Sequence, residues 1–121
     1  MPATVYLNGE FLPEGEAKIS PRDRGFLFSD GVYEALCSYD GRLFLAEEHF
    51  ARLQRSLREL RIDADLTAGR FAEIARELVR RNDLEDRNAK VYLQVTRRWR
   101  RRSAPSAPWE RRAGAPAGPR A

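Results

Sequence analysis

The composition of this chain changes abruptly at Arg98, and the change limits where a folded core can form. Of the 24 residues from 98 to 121, 19 are Arg, Ala, Pro or Gly, and none is Leu, Ile, Val, Phe, Tyr or Met. Four prolines interrupt any helical or strand pattern there. Such a segment buries too little apolar surface to offset its backbone entropy. Residues 98–121 are therefore predicted to be a disordered tail, and residues 1–97 a single domain.

The tail also carries the positive charge of the chain. The whole sequence has 22 basic and 18 acidic residues, a formal net charge of +4. Seven arginines and one acid fall in the tail, which leaves 15 basic and 17 acidic residues in positions 1–97. A nucleic-acid-binding domain shows its basic charge on a folded surface, so nucleic acid is not expected as a partner. The alternative is a small nucleic-acid-binding protein that acts through the tail alone, by salt-sensitive contacts with phosphate.

The remaining composition is typical of a cytoplasmic chain. No apolar run is long enough to span a bilayer, and no secretory signal follows Met1. The single cysteine, Cys37, has no partner for an internal disulfide and is expected to pack in a strand, which suits a reducing compartment. No cluster of Cys and His residues occurs, so no metal site is predicted.

Two primed-turn dipeptides predict two β-hairpins within residues 1–97. The first joins strands at 4–7 and 10–12 through Asn8-Gly9, and the second joins strands at 32–39 and 42–45 through Asp40-Gly41. A polar loop is expected between them, over residues 20–25.

Two amphipathic helices and a strand are predicted after the hairpins. The first helix has an apolar stripe from Phe50 to Leu60, and the second begins after Thr67, a suitable N-cap. Residues 91–96 then alternate as a half-buried strand. The predicted fold class is α+β, with a largely antiparallel sheet and two helices on one of its faces.

Few side chains in this domain could carry chemistry. The single histidine, His49, lies at the start of the first helix and is expected to be a surface or capping residue. Arginines recur every three residues along that helix, from Arg52 to Arg61. They form either a solvated face with acidic neighbours or, at Arg52, a guanidinium that turns inward to bind an anion.

Three motifs, in order and at matching spacing, resemble one enzyme family. Residues 22–34 read RDRGFLFSDGVYE, close to a DRGF-x-F-G-D-G-V-Y-E pattern in which only Ser29 replaces a glycine. Residues 48–53 read EHFARL and residues 91–97 read VYLQVTR. The sequence is similar to the N-terminal part of the class IV (fold type IV) pyridoxal-phosphate-dependent aminotransferases, and within them resembles the D-amino-acid (D-alanine) transaminases more than the branched-chain enzymes.

The resemblance implies roles for three residues. Arg52 matches the arginine that binds the phosphate of pyridoxal 5′-phosphate, and Tyr33 matches a tyrosine near the substrate. Ala35 falls on the strand position that faces the substrate pocket, on the same side as Tyr33, so Glu34 faces away and is structural. The implied reaction is transamination between a D-amino acid, such as D-alanine, and a 2-oxo acid, by an enzyme that is a homodimer at full length. Branched-chain aminotransferase and aminodeoxychorismate lyase are the alternatives within the fold.

The sequence departs from the family pattern after Arg97. The D-amino-acid transaminases continue with a glycine and an Arg-x-His pair, whereas here Arg98 follows and no histidine occurs after His49. The lysine that forms the Schiff base with the cofactor has no match, since neither Lys18 nor Lys90 occupies its place. We therefore expect no catalytic residue in these 121 positions, weak cofactor binding and no transamination.

Two interpretations of the departure stay open. Arg, Ala, Pro and Gly share codons rich in G and C, so a shifted reading frame in GC-rich DNA would produce such a tail. The chain could also be a non-catalytic interaction module that pairs with a full-length transaminase.

Overall fold

The computed structural model describes residues 2–97, so the predicted disordered tail lies outside the described residues. Within them the chain forms five strands, three α-helices and one turn of 3₁₀ helix at Glu14–Glu16. In chain order the elements are β1 (Thr4–Leu7), β2 (Glu10–Pro13), α1 (Arg24–Phe28), β3 (Gly31–Tyr39), β4 (Arg42–Leu43), α2 (Ala46–Leu60), α3 (Ala68–Arg81) and β5 (Ala89–Thr96).

The strands form two antiparallel sheets rather than the single sheet predicted. Strands β1 and β2 pair as a hairpin, and a separate sheet has the order β4-β3-β5. Both predicted turns are present, with positive φ at Asn8, Gly9, Asp40 and Gly41, as a primed two-residue turn requires. In the larger sheet, β3 pairs with β5 from Gly31 opposite Thr96 to Ser38 opposite Ala89.

One face of the larger sheet is covered by helices, as the α+β prediction required. Leu36 of β3 and Val91 of β5 are buried against a cluster that includes Leu53 of α2 and Phe71 of α3. Helix α3 begins at the predicted cap, where the Thr67 side chain accepts a hydrogen bond from the backbone of Arg70. None of the helices in residues 2–97 is long and apolar enough to cross a membrane.

Two local predictions were wrong. Residues 20–25 were expected to form a loop, but α1 begins inside them, at Arg24. The return strand of the second hairpin ends at Leu43 rather than Leu45, because Leu45 adopts a left-handed conformation (φ 55°) and serves as the N-cap residue of α2.

The short helix α1 is fixed to the end of β5 by close backbone packing. The Asp23 side chain accepts a hydrogen bond from the backbone N–H of Gly25 (2.8 Å) and another from the hydroxyl of Thr96 (3.1 Å). A Cβ atom on Gly25 would lie 2.2 Å from the Thr96 methyl group, and one on Gly31 would lie 2.8 Å from the Val95 carbonyl oxygen. Both glycines are therefore required where the RDRGF motif enters β3.

Candidate functional site

The alternation of β3 places Tyr33 and Ala35 on the sheet face that the helices do not cover. Tyr33 is 66% exposed and Ala35 is half-buried. The Tyr33 ring stacks on Tyr92 of β5, with ring centroids 5.7 Å apart. The Tyr92 hydroxyl donates a hydrogen bond to the side-chain oxygen of Gln94 (2.8 Å). The open face thus carries a row of aromatic and hydrogen-bonding groups.

Glu34 lies on the opposite face, as the alternation predicts, and is one of the most buried charged side chains in the described chain. It is 5% exposed. Its carboxylate points at α2, which crosses the helix-covered face of the sheet. A carboxylate in such a position is stable only when it is paired and hydrogen-bonded.

Two side chains of α2 supply the partners of Glu34. Arg52 donates from Nε to Glu34 Oε2 (2.7 Å) and from Nη2 to Glu34 Oε1 (2.8 Å). The Nδ1 atom of His49 lies 2.8 Å from Glu34 Oε1. Because a carboxylate only accepts hydrogen bonds, the Nδ1 atom carries the proton. Every oxygen of the buried carboxylate is therefore occupied.

The ion pair between Glu34 and Arg52 shifts the pKa of both side chains. The hydrogen bonds and charge of Arg52, and to a lesser extent the hydrogen bond from His49, hold the pKa of Glu34 below its usual value, against the opposing effect of burial. The same contacts with Glu34 raise the pKa of Arg52, with a smaller contribution from Tyr33. Glu34 is thus a carboxylate, and Arg52 a guanidinium, at neutral pH.

The guanidinium of Arg52 keeps one edge free for a second anion. Glu34 occupies the edge formed by Nε and Nη2, which leaves the N–H groups of Nη1 and the second N–H of Nη2. These groups make no hydrogen bond within residues 2–97, and the side chain is 57% exposed. The free edge matches two oxygens of a phosphate or carboxylate. Arg52 therefore turns toward the sheet, and its binding of a further anion stays a prediction.

His49 is not the surface or capping residue that its position predicted. Its side chain is mostly buried and bonded to Glu34. The ion pair between Glu34 and Arg52 was not predicted, since it spans 18 positions and depends on how α2 crosses β3. The available signal was an acidic residue at an inward position of an otherwise apolar strand face.

The remaining polar groups do not join this cluster. Lys18 is exposed in the segment before α1, and Lys90 is exposed on the open face of β5. A cleft of about 1320 Å³ lies between β1, α3 and β5, and neither Arg52 nor Tyr33 lines it. No group of three or more His, Cys, Asp or Glu side chains suited to a metal occurs in residues 2–97.

A solved structure shares the fold. The branched-chain amino acid aminotransferase of T.th., in complex with N-(5′-phosphopyridoxyl)-L-glutamate, superimposes with a TM-score of 0.71 and 25% sequence identity. The match covers 79% of this chain and 33% of the other. Fold and site together define the N-terminal part of a fold type IV aminotransferase.

Sequence comparison gives the family directly. Residues 31–113 match the model of the family described as amino-transferase class IV. The D-alanine aminotransferase of Staphylococcus haemolyticus is 43% identical over 93 residues, which are 77% of this chain and 32% of that protein. A putative branched-chain-amino-acid aminotransferase of Methanocaldococcus jannaschii is 43% identical over the same length and coverage. The chain belongs to the class IV aminotransferases, and it spans about a third of the length of these relatives.

Proposed function

We propose that this chain contributes to a pyridoxal-phosphate-dependent transamination between a D-amino acid, such as D-alanine, and a 2-oxo acid. The main support for the proposal is the free edge of Arg52. The buried carboxylate of Glu34 holds the other edge, and both residues lie within the range that matches the family. The substrate class is supported by the 43% identity to a D-alanine aminotransferase.

The residues of the site fit the proposed cofactor at its phosphate end. Arg52 would hold the phosphate by two charge-assisted hydrogen bonds from Nη1 and Nη2. Pyridoxal phosphate, when bound, supplies an electron sink that stabilises negative charge at the substrate Cα. Tyr33 and Ala35 would border the substrate on the open face, where the stacked Tyr92 fixes the orientation of the Tyr33 ring.

The 121 residues alone are proposed to bind the cofactor weakly and not to transaminate. Proton transfer at the substrate Cα needs a positioned base, and neither Lys18 nor Lys90 matches the lysine of the family pattern. Lys18 is exposed before α1, and Lys90 is exposed on β5. The full-length protein is proposed to be a homodimer, because α1 leaves large apolar side chains exposed, among them Phe26 and Phe28.

A branched-chain amino acid is the second candidate substrate. It is favoured by the similarity in fold to the T.th. enzyme and by the Methanocaldococcus relative. Ala35 on the open face does not decide between the two substrates, because a small side chain beside Tyr33 leaves room for either.

A chimera tests the proposal. The 93 aligned residues of this chain would replace their counterparts in the Staphylococcus haemolyticus D-alanine aminotransferase, and pyruvate formation from D-alanine and 2-oxoglutarate would be followed. We expect activity with D-alanine and little with L-leucine. Arg52→Gln in the chimera should weaken cofactor binding by about 100-fold, the cost of leaving a charged partner unpaired, whereas Arg55→Gln on the exposed side of α2 should not. A folded chimera that processes only L-leucine would instead support the second candidate.

A further inference from the structure

We infer that Glu34, itself held by His49, is the positioning residue for the phosphate-binding edge of Arg52. This inference rests on the proposed role of Arg52 and extends it to two residues on which that role depends. Glu34 and His49 do not touch the phosphate in this account, and they act only through the guanidinium.

The first support is the geometry of the pair. An arginine side chain has many rotamers, and fixing it on an anion costs entropy. Glu34 removes most of that cost before any ligand arrives, because it holds the Nε–Nη2 edge of Arg52 at 2.7 and 2.8 Å. The guanidinium is planar, so the direction of the opposite edge is fixed as well.

The second support is the rigidity of the carboxylate. Glu34 is 5% exposed and lies in the middle of β3, which pairs with β5 from Gly31 to Ser38. His49 bonds to the same oxygen, Oε1, that accepts from Nη2 of Arg52. The carboxylate therefore has no freedom to rotate away from the arginine, although Arg52 itself is more than half exposed.

Electrostatics alone predicts the opposite effect. A carboxylate beside the site repels a phosphate dianion, so a purely electrostatic view expects removal of Glu34 to tighten phosphate binding. If Glu34 positions Arg52, removal of Glu34 should instead weaken phosphate binding. The sign of the change therefore separates the two accounts.

The test measures binding of pyridoxamine 5′-phosphate and of pyridoxamine to the complete 121-residue chain. These amines form no imine with lysines, and the ratio of their affinities isolates the contribution of the phosphate. Glu34→Gln is expected to lower that ratio about 10-fold, the scale on which outer partners of a binding residue act. Glu34→Asp keeps the charge but withdraws the carboxylate from Arg52, and it is expected to lower the ratio as well. Glu48→Gln, on the exposed side of α2, should leave the ratio unchanged.

A double-mutant cycle with Arg52→Gln distinguishes positioning from a general loss of structure. In the Arg52→Gln background, Glu34→Gln should cause no further loss, and pyridoxamine affinity should stay constant throughout. The inference is overturned if Glu34→Gln raises the ratio, or if Glu34→Asp behaves as the parent chain. If Arg52→Gln itself leaves the ratio unchanged, the proposed phosphate site fails, which is a separate outcome.

Discussion

At the scale of single residues, the motif that enters β3 is shaped by backbone conformation. Ser29 ends α1 with φ 55° and ψ 30°, in the left-handed region, and the family pattern has glycine at this position. A side chain with a Cβ atom is strained there, whereas glycine is not. The departure from the pattern at Ser29 therefore costs stability without altering the path of the chain.

Ser29→Gly is expected to stabilise the folded chain by about 1 kcal/mol, because relief of strain outweighs the greater entropy of unfolded glycine. Urea unfolding followed by circular dichroism would measure it. Ser56→Gly, inside α2, is the control and should destabilise by about 0.5 kcal/mol. Equal destabilisation by both substitutions would mean that Ser29 is not strained.

Gly25→Ala is expected to destabilise the fold by about 1–3 kcal/mol, the usual cost of overpacking. The new methyl group would overlap the Thr96 side chain and separate α1 from β5. The same urea experiment applies. Gly15→Ala is the matched control, since a Cβ atom there meets nothing within 4 Å, and an equal loss in both variants would contradict the packing described.

At the scale of elements, one side chain connects the first hairpin to the helical layer. Asn82, at the end of α3, accepts a hydrogen bond from the backbone N–H of Thr4 (2.9 Å) and donates one to the Thr4 carbonyl (3.0 Å). It therefore pairs with β1 much as a neighbouring strand would. The Arg81 guanidinium also lies over the Phe11 ring of β2, 4.4 Å from its centroid.

Asn82→Ala is expected to cost about 1–3 kcal/mol, because both backbone groups of Thr4 lose their partner. Hydrogen exchange at Thr4 should accelerate more than exchange in β3, since the hairpin is released before the core opens. Asn88→Ala, at an exposed position, serves as the control. Uniform acceleration across both sheets would show that Asn82 does not act on the hairpin in particular.

Most elements could be predicted from the sequence, because their signals are local. Asn8-Gly9 and Asp40-Gly41 specify primed turns, and the periods of α2 and α3 span several turns. Helix α1 was missed because its five residues are too few to show a period. It is held by Asp23 and Thr96, which lie 73 positions apart. The contacts of Glu34 were missed for the same reason: a pair between β3 and α2 is set by tertiary packing, which no local pattern encodes.

At the scale of the whole molecule, stability is coupled to pH through carboxylates held by arginines. The pKa of Glu34 is lowered chiefly by Arg52, and that of Asp30 chiefly by Arg24. Asp30 also accepts a hydrogen bond from Arg97 at the end of β5 (2.8 Å). Lowered folded-state values mean that these contacts stabilise the fold when the carboxylates are ionised.

The contribution of Glu34 should be fully present above its usual pKa of 4.5 and lost as the pH falls through its lower folded value. Glu34→Gln should therefore lose less stability than the parent chain as the pH falls below 4.5. The midpoint temperature of thermal unfolding, measured at a series of pH values, tests this. Glu48→Gln is the control and should show the same pH dependence as the parent chain. An identical pH dependence of the midpoint in all three chains would contradict a lowered pKa at Glu34.

An NMR titration of the arginine side chains in the 121-residue chain tests whether Arg52 anchors the phosphate. We predict that pyridoxamine 5′-phosphate shifts the Nε–H signal of Arg52 and that pyridoxamine does not, while the Arg55 signal stays in place with both. A shift of the Arg52 signal with both compounds, or a phosphate-dependent shift at other arginines alone, would contradict the assignment of Arg52 as the phosphate anchor.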